Sequence, residues 1–507
     1  EKMIQHLASL PILLPMLAAI ILLLPPCGKS LFARRLTSSL MAILTFAVTV
    51  LLLVQVKDNG IIVYAIGNWS APFGIVLVAD MLSTLLVTLT AFLGVGVALY
   101  GCAGDDEQGS FFHPLIHFLI LGVNGAFLTG DLFNVFVFFE VLLIASYALL
   151  MHGGGKPKTR AALHYVILNL VGSSVFLIGL GILYGVLGTL NIADMANKVP
   201  LLTGDDVYLA KAGGLLLLVV FALKSALLPL HLWLPNAYAS ATPVVAALFA
   251  IMTKVGVYAT LRVYTVIFGE QAGELEHMAQ SWLWALAIAT IVIGAIGVLA
   301  AQDLRKLTAN LVLVSVGTLV ALVALQNINA TAALLYYLVH STLVTAALFL
   351  LADLIAIQRG KAGDRLVGGR AVKQPFLLGA CFIIAGLTVI GMPPFSGFVG
   401  KIWILKTTLN SEQALVFWPV YLIMSLALIV AISRAGTSLF WERKDKTGDG
   451  SDVANAHPLQ VTVLVGLLVS SILLVVFGDV ATQYALEAAA QLHDISGGIN
   501  AVLKGGM

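Results

Sequence analysis

Charge is scarce in this chain. Of its 507 residues only 10% are Asp, Glu, Lys or Arg, against about 25% in ordinary soluble domains. With 60% of the residues hydrophobic, too little polar surface remains to wrap a soluble core of that size. Cysteine is scarcer still: Cys27, Cys102 and Cys381 stand far apart, without metal-type spacing, and read as small apolar fillers. There is no long basic tract, and 27 basic residues nearly balance 25 acidic ones, so nucleic acid is not an expected partner. A P-loop, a dinucleotide-binding glycine pattern, a haem ligand set and a catalytic triad are all missing. No cofactor, resident metal or enzymatic activity is therefore expected.

What the chain has instead is apolar runs of about twenty residues, the length needed to cross a bilayer as a helix. The runs are continuous and do not alternate apolar with polar residues, which argues against a membrane barrel. Turn and charge punctuation divides them into about fourteen spans: 7–25, 31–55, 74–101, 111–129, 131–151, 161–187, 207–228 with 230–239, 243–268, 278–301, 306–325, 331–357, 376–409, 414–440 and 458–480. The first run carries little positive charge before it and no cleavage pattern after it, so it is expected to be a retained span. Basic residues set the orientation. Arg34, Arg35, Lys156, Lys158, Arg305, Lys306, Arg359, Arg365, Arg443, Lys444 and Lys446 fall in alternate loops, which places those loops in the cytoplasm and both termini outside. The loops at 101–110 and 445–457 read as merely solvated, and the 481–507 tail as an interfacial helix or a partner contact.

Two spans are interrupted. Pro229 and Pro235 follow Lys224, and the Gly391-Met-Pro-Pro-Phe-Ser-Gly stretch, with Pro393 and Pro394, precedes Lys401. Proline inside a span frees backbone groups that neighbours or water must satisfy, so paired breaks point to a cavity. Interrupted segments in corresponding positions of two halves also point to a repeat-built transporter. The spacing fits two five-helix units at 111–268 and 278–440, preceded by three spans at 7–101 and followed by one at 458–480.

An ionisable group at membrane depth is costly and marks a pathway or a pair. Glu140 lies midway along its span among Phe136, Phe138 and Phe139. Its role is either to pair with a buried lysine or to switch that pairing. Lys224 and Lys254 suit proton transfer, because burial brings a lysine's affinity for its proton toward neutrality. An ionised Glu140 beside Lys224 would hold the proton there, and Lys401 at the second break is the third lysine of the set. His340 at mid-span either bridges Lys254 to Lys401 or is a satisfied core histidine. His231, just past Pro229, is likewise either a relay member or a structural residue that bonds freed backbone groups. Asp80 is expected to meet Arg262, Lys211 or a neighbouring subunit, or to lie at the interface. Arg434 is a further polar candidate deep in its span, and His113 with His117 read as interfacial residues.

Several stretches resemble the antiporter-like membrane subunits shared by Mrp-type cation/proton antiporters and respiratory complex I. They are Gly130-Asp-Leu-Phe-Asn-Val-Phe-Val-Phe-Phe-Glu140, Lys224-Ser-Ala-Leu-Leu-Pro-Leu-His-Leu-Trp-Leu-Pro235, Ala241-Thr-Pro through Lys254, Gln302-Asp-Leu-Arg-Lys306, and Gly391-Met-Pro-Pro-Phe-Ser-Gly-Phe-Val-Gly-Lys401. Within that family the chain is most similar to the D-type subunits of Mrp complexes, through Phe73–Asp80, the lack of a long C-terminal extension and the lysine at 401. The resemblance implies fourteen helices, two inverted five-helix repeats each with a broken helix, and proton passage along Glu140, Lys224, Lys254, His340 and Lys401. It implies other Mrp-type subunits as partners, Na⁺ or K⁺ as the exchanged ion, and the cytoplasmic membrane of a bacterium or archaeon. One departure is Ala309-Asn310 after Lys306, where relatives often carry hydroxyl residues. The alternatives are a proton-pumping subunit of a redox-driven complex and a stand-alone solute carrier.

Overall fold

An apolar segment in hydrocarbon must satisfy its own backbone, and a helix does so internally. The computed structural model describes residues 2–442 and 453–504 and is all-α apart from one two-stranded sheet. Among the described residues, twelve helices are long and apolar enough to cross a membrane, from Met3–Leu23 to Pro458–Val476. Two shorter apolar helices, Phe112–Leu128 and Pro375–Ile390, fall in runs also expected to span. Short polar side chains start many of the helices. Asp131, Asp303 and Asn327 accept from the backbone N–H of Asn134, Lys306 and Ala330 at 2.9, 2.7 and 2.7 Å, filling donors that a helix start leaves free.

Burial separates an inner layer from an outer one. The apolar windows of Pro243–Ile267, Leu304–Leu325 and Ile328–Ala362 are 100%, 94% and 89% buried, whereas that of Leu31–Asn59 is 28% buried. The three inner helices carry Lys254, Ser315 and His340, so these polar groups are wrapped in protein rather than lipid. Hydropathy alone does not reveal this ranking, since inner and outer helices are similarly hydrophobic.

The chain breaks helical form where both proline stretches lead one to expect it. The Asp205–Ser225 helix ends on Ala226 at φ 63°, and helix resumes at Trp233–Ser240. The Pro375–Ile390 helix ends on Gly391 at φ 89°, and helix resumes at Ser396–Thr408. A further interruption has no proline: Pro243–Phe249 and Met252–Arg262 are separate helices. There Tyr238 donates its hydroxyl to the Phe249 carbonyl at 2.8 Å. Glycine allows close approach at two of these places. A Cβ on Gly256 would meet the Ser225 and Lys224 backbone, and one on Gly397 would collide with the Thr388 carbonyl.

Four expectations are corrected. The third span does not begin at 74, because Val76–Ala79 is a strand paired antiparallel with Ile62–Ala65, and helix starts at Met81. Those segments are rich in β-branched residues, which fit a pleated surface. The tail packs on its own chain: in the Gly478–His493 helix, Ala485, Ala488, Ala489 and Leu492 are buried, Tyr484 donates to the Met81 carbonyl at 2.6 Å, and Gln491 accepts from the Met81 N–H at 2.8 Å. The loop at 101–110 is not merely solvated. Asp106 is buried and takes both Arg35 nitrogens at 2.7 Å and His113 Nε2 at 2.9 Å, and His113 Nδ1 and His117 Nε2 share the Ser38 hydroxyl at 2.8 and 3.1 Å. Both histidines are thus buried, not interfacial. Residues 443–452, with Arg443, Lys444 and Lys446, and residues 505–507 of the tail lie outside the described residues.

Asp106 is opposed by burial, but hydrogen bonds from Arg35 and His113 hold its carboxyl down at about 2. Its neighbour Asp105 goes the other way, pushed up to about 7 by burial and by the nearby Asp353 and Asp106 carboxylates. An unfolded aspartate releases its proton near pH 4. Folded chain therefore holds a proton that unfolded chain does not between about pH 4 and 7, and Asp105 makes stability fall as pH rises through that window. Asp105→Asn is expected to flatten this part of the curve, measured as thermal midpoints of the purified protein from pH 5 to 7.5. Identical slopes for the two proteins would refute the assignment. Gly256→Ala and Gly397→Ala are expected to cost about 1–3 kcal/mol each through overpacking. Gly181→Ala, whose Cβ meets nothing within 4 Å, is expected to melt like the wild type; equal melting of all three would refute the close approach.

Candidate functional site

Each expected relay residue comes from a different helix, and those helices pack in succession. Leu132–Leu150 lies against Lys156–Leu187, then come Asp205–Ser225, Met252–Arg262, Leu304–Leu325, Ile328–Arg359 and Ser396–Thr408. The line therefore runs across the protein through its inner layer.

At one end Glu140 is half-buried, with Phe133 and Val137 exposed on the same helix. Its Oε1 accepts from the Ser173 hydroxyl. Lys224 is 7% exposed, and its Nζ donates to Asn169 Oδ1 at 3.0 Å and lies 5.6 Å from the centre of the Phe139 ring. Among the described residues there is no ion pair between Glu140 and Lys224. Instead Asn169 and Ser173, one turn apart on the Lys156–Leu187 helix, bond Lys224 and Glu140 respectively. Ser173 also donates to the Asn169 carbonyl at 3.0 Å. The sequence signal was available, since two polar residues at i and i+4 share one helix face in an apolar span.

Lys254 is fully buried. Its Nζ reaches only the Ser315 hydroxyl, at 3.5 Å, among the described residues. His340 is 1% exposed, and its Nδ1 pairs with the Ser396 hydroxyl at 2.7 Å, which ties it to the start of the helix after the second break. Lys401 is 7% exposed; its Nζ donates to the Ile390 carbonyl at 2.6 Å and to Ser425 Oγ at 3.3 Å. Ser315, Ser396 and Ser425 were not singled out from sequence, because a lone serine in a span is usually bonded to its own helix.

The two breaks satisfy their freed carbonyls differently. Lys401 serves the second through Ile390, whereas at the first the Trp233 indole donates to the Leu223 carbonyl at 3.0 Å. The Leu228 N–H is taken by Thr290 Oγ1 at 2.9 Å. His231 does not fill that role: its Nδ1 is buried without a partner among the described residues. Pro229, Pro393 and Pro394 are exposed, so the turns of both breaks reach the chain's surface.

Asp80 and Arg262 form a two-pronged ion pair at 2.6 and 3.0 Å. Arg262 also donates to the Tyr258 hydroxyl at 3.2 Å, and Tyr258 donates to the Phe127 carbonyl at 2.9 Å. Asp80 caps the Met81–Gly101 helix as well, which accounts for it structurally. Arg434 is exposed and donates to the Leu299 carbonyl, near the end of the Gln280–Ala300 helix. It is a helix-end cation rather than a buried one. Cys102 Sγ, an Asp106 oxygen and a His113 nitrogen lie within 4.8 Å of one another. Arg35 and His113 occupy both Asp106 oxygens, so this trio is an ion-pair cluster in the form seen here.

The arrangement holds lysine amines in a buried interior against neutral hydroxyl, amide and carbonyl partners, which is suited to moving protons. Residues 129–428 match the transmembrane family described as "NADH:quinone oxidoreductase/Mrp antiporter". The chain is 37% identical to the D-type subunit of a probable K⁺/H⁺ antiporter of Rhizobium meliloti, with 96% of each chain covered. It is 36% identical to the D-type subunit of a Na⁺/H⁺ antiporter of Bacillus subtilis, covering 99% of this chain and all of that one. A chain in the structure of the Mrp complex from Dietzia superposes with a TM-score of 0.86 at 28% identity, covering 99% of this chain and 100% of that chain. This chain belongs to the NADH:quinone oxidoreductase/Mrp antiporter transmembrane family, among its Mrp-type D subunits.

Proposed function

We propose that this chain carries protons within a multisubunit monovalent cation/proton antiporter. The observation behind this reading is Lys254, fully buried and bonded among the described residues only to a neutral hydroxyl, in line with Lys224 and Lys401 on successively packed helices. An amine held by a neutral hydroxyl can take up a proton and pass it on, which a locked ion pair does not allow. A proton entering at Glu140 changes the field at Lys224 through Asn169 and Ser173. Loss of charge at Lys224 then favours charge at Lys254, and so on toward His340 and Lys401.

In this reading the chain spans the cytoplasmic membrane of a bacterium fourteen times, with two inverted five-helix repeats at 111–268 and 278–440 and both termini outside. The twelve long apolar helices and two shorter ones support that count, and the breaks at Ser225–Trp233 and Ile390–Ser396 support the repeat. The exchanged ion is Na⁺ or K⁺, as the names of the two relatives offer both. Cation binding needs clustered oxygens, which favours a route for the metal ion at a boundary with another subunit. The half-exposed side of Glu140 favours such a boundary beside the Leu132–Leu150 helix. The family description also names NADH:quinone oxidoreductase, so a redox-driven pump is the second reading; co-purifying iron–sulfur chains, identified by mass spectrometry, would establish it.

Glu140→Ala and Lys224→Ala, introduced into the intact assembly, are expected to reduce cation-dependent proton flux in vesicles at least tenfold. Full flux from both, at normal assembly, would overturn the proposal. His340→Ala is expected to slow flux more than it lowers complex yield; the reverse result would make His340 a packing residue only.

A further inference from the structure

Lys254 shares one face of the Met252–Arg262 helix with Tyr258 and Arg262, at intervals of four residues. Arg262 therefore lies two turns, about 12 Å, along the axis from Lys254, with Tyr258 midway. A cavity of about 60 Å³ ends against Tyr258 and Arg262, and Asp80, Thr129, Gln491 and Asp494 are the other polar side chains on its wall. It has room for a few water molecules, and it reaches from exposed Asp494 in the tail to buried Tyr258. Lys254 is not among the residues that line it. The tail end of the molecule is the outer end in the reading above, so this cavity faces the outer compartment.

Water so close to Lys254 would short-circuit an exchanger if protons passed freely from it to the amine. Arg262 and Tyr258 stand in the way. The guanidinium is held by Asp80 at 2.6 and 3.0 Å, and its Nε donates to the Tyr258 hydroxyl at 3.2 Å. Its central carbon lies 5.2 Å from the centre of the Tyr258 ring. Asp80 is itself anchored, since its Oδ1 accepts from the Ser83 N–H at 2.8 Å in the first turn of the Met81–Gly101 helix. The Tyr258 hydroxyl donates to the Phe127 carbonyl at 2.9 Å, so its one proton is committed to a backbone group. A guanidinium keeps its charge at every physiological pH, and an arginine on the wall of a water-filled space is a barrier to protons and metal cations. We infer that Arg262, positioned by Asp80 and backed by Tyr258, is a plug between the outer cavity and Lys254 that keeps protons from reaching this amine outside the exchange cycle. A mere staple between two helices needs the hydrogen bonds of the pair, whereas a plug needs its positive charge. This inference rests on the proton-carrying function proposed above and gives the pair a part in its coupling.

The readout is proton leak through the assembled complex in vesicles, under an imposed pH gradient with neither Na⁺ nor K⁺ present, followed with a pH-sensitive dye. Asp80→Asn combined with Arg262→Gln replaces the ion pair by a neutral hydrogen-bonded one. This double variant is expected to raise the leak at least fivefold at normal complex yield, and the further change Lys254→Ala to return it to the wild-type level. A tight double variant would overturn the plug, and so would a leak that survives Lys254→Ala. Arg262→Lys keeps the charge and Arg262→Gln alone removes it, so the lysine variant is expected to stay tight and the glutamine variant to leak. Equal leak from these two, compared at matched yield, would also overturn the plug, since it would assign Arg262 a packing role. If Lys254→Ala alone abolishes cation-dependent flux while the double variant is tight, the plug is wrong and the wider proposal stands. If Lys254→Ala leaves that flux unchanged, the wider proposal has failed and the plug with it.

Discussion

The most demanding constraint on this protein is a fully buried lysine amine that has no carboxylate partner among the described residues. Lys254 is fully buried, and its nearest hydrogen-bond partner is a serine hydroxyl at the outer limit of bonding distance. Keeping an ammonium there requires either water or the ability to give up the proton. The surrounding architecture answers to this requirement. The span that carries Lys254 is interrupted just before it and packs against the two other most buried helices and against the Asp205–Ser225 helix. Lys224 and Lys401 repeat the theme with an amide and a carbonyl in place of a carboxylate.

Two other acidic side chains, Asp80 and Asp106, hold fixed ion pairs. Asp80 locks Arg262 and caps a helix, joining the Met81–Gly101 helix to the end of the span that bears Lys254. Asp106 locks Arg35 and His113 at the opposite, loop-rich end of the first spans. These pairs are fixed by strong, two-pronged hydrogen bonds, which are the most geometrically specific kind. Ion pairs thus flank an interior in which Lys224, Lys254 and Lys401 have neutral hydrogen-bond partners among the described residues.

Much of this was legible in the sequence, and the reasons differ by residue. Long apolar runs identify spans because length and hydropathy are set by the bilayer, and Pro229 and Gly391 mark breaks because backbone chemistry demands it. Glu140, Lys224, Lys254, His340 and Lys401 stand out because an ionisable residue in such a run has few innocent explanations. What stayed hidden depends on rotation of helices about their axes. Asn169, Ser173 and Ser315 are ordinary residues until one sees which way they face. The interruption between Phe249 and Met252 lacks proline or glycine, so nothing local announces it; a tyrosine from another helix compensates for it. Arg434 misled for the same reason, since its place along the span says nothing of its exposed side.

The unlike treatment of the two helix breaks has a consequence for how charge and shape are linked. At the first break the Leu223 carbonyl is held by the Trp233 indole, a donor that keeps its hydrogen at every physiological pH. At the second the Ile390 carbonyl is held by the Lys401 ammonium, a bond whose strength depends on whether that amine carries its extra proton. The first kink is therefore a fixed joint. The second is tethered by a group that can carry a proton or not, so protonation of a single nitrogen and the hold on the backbone next to it are linked.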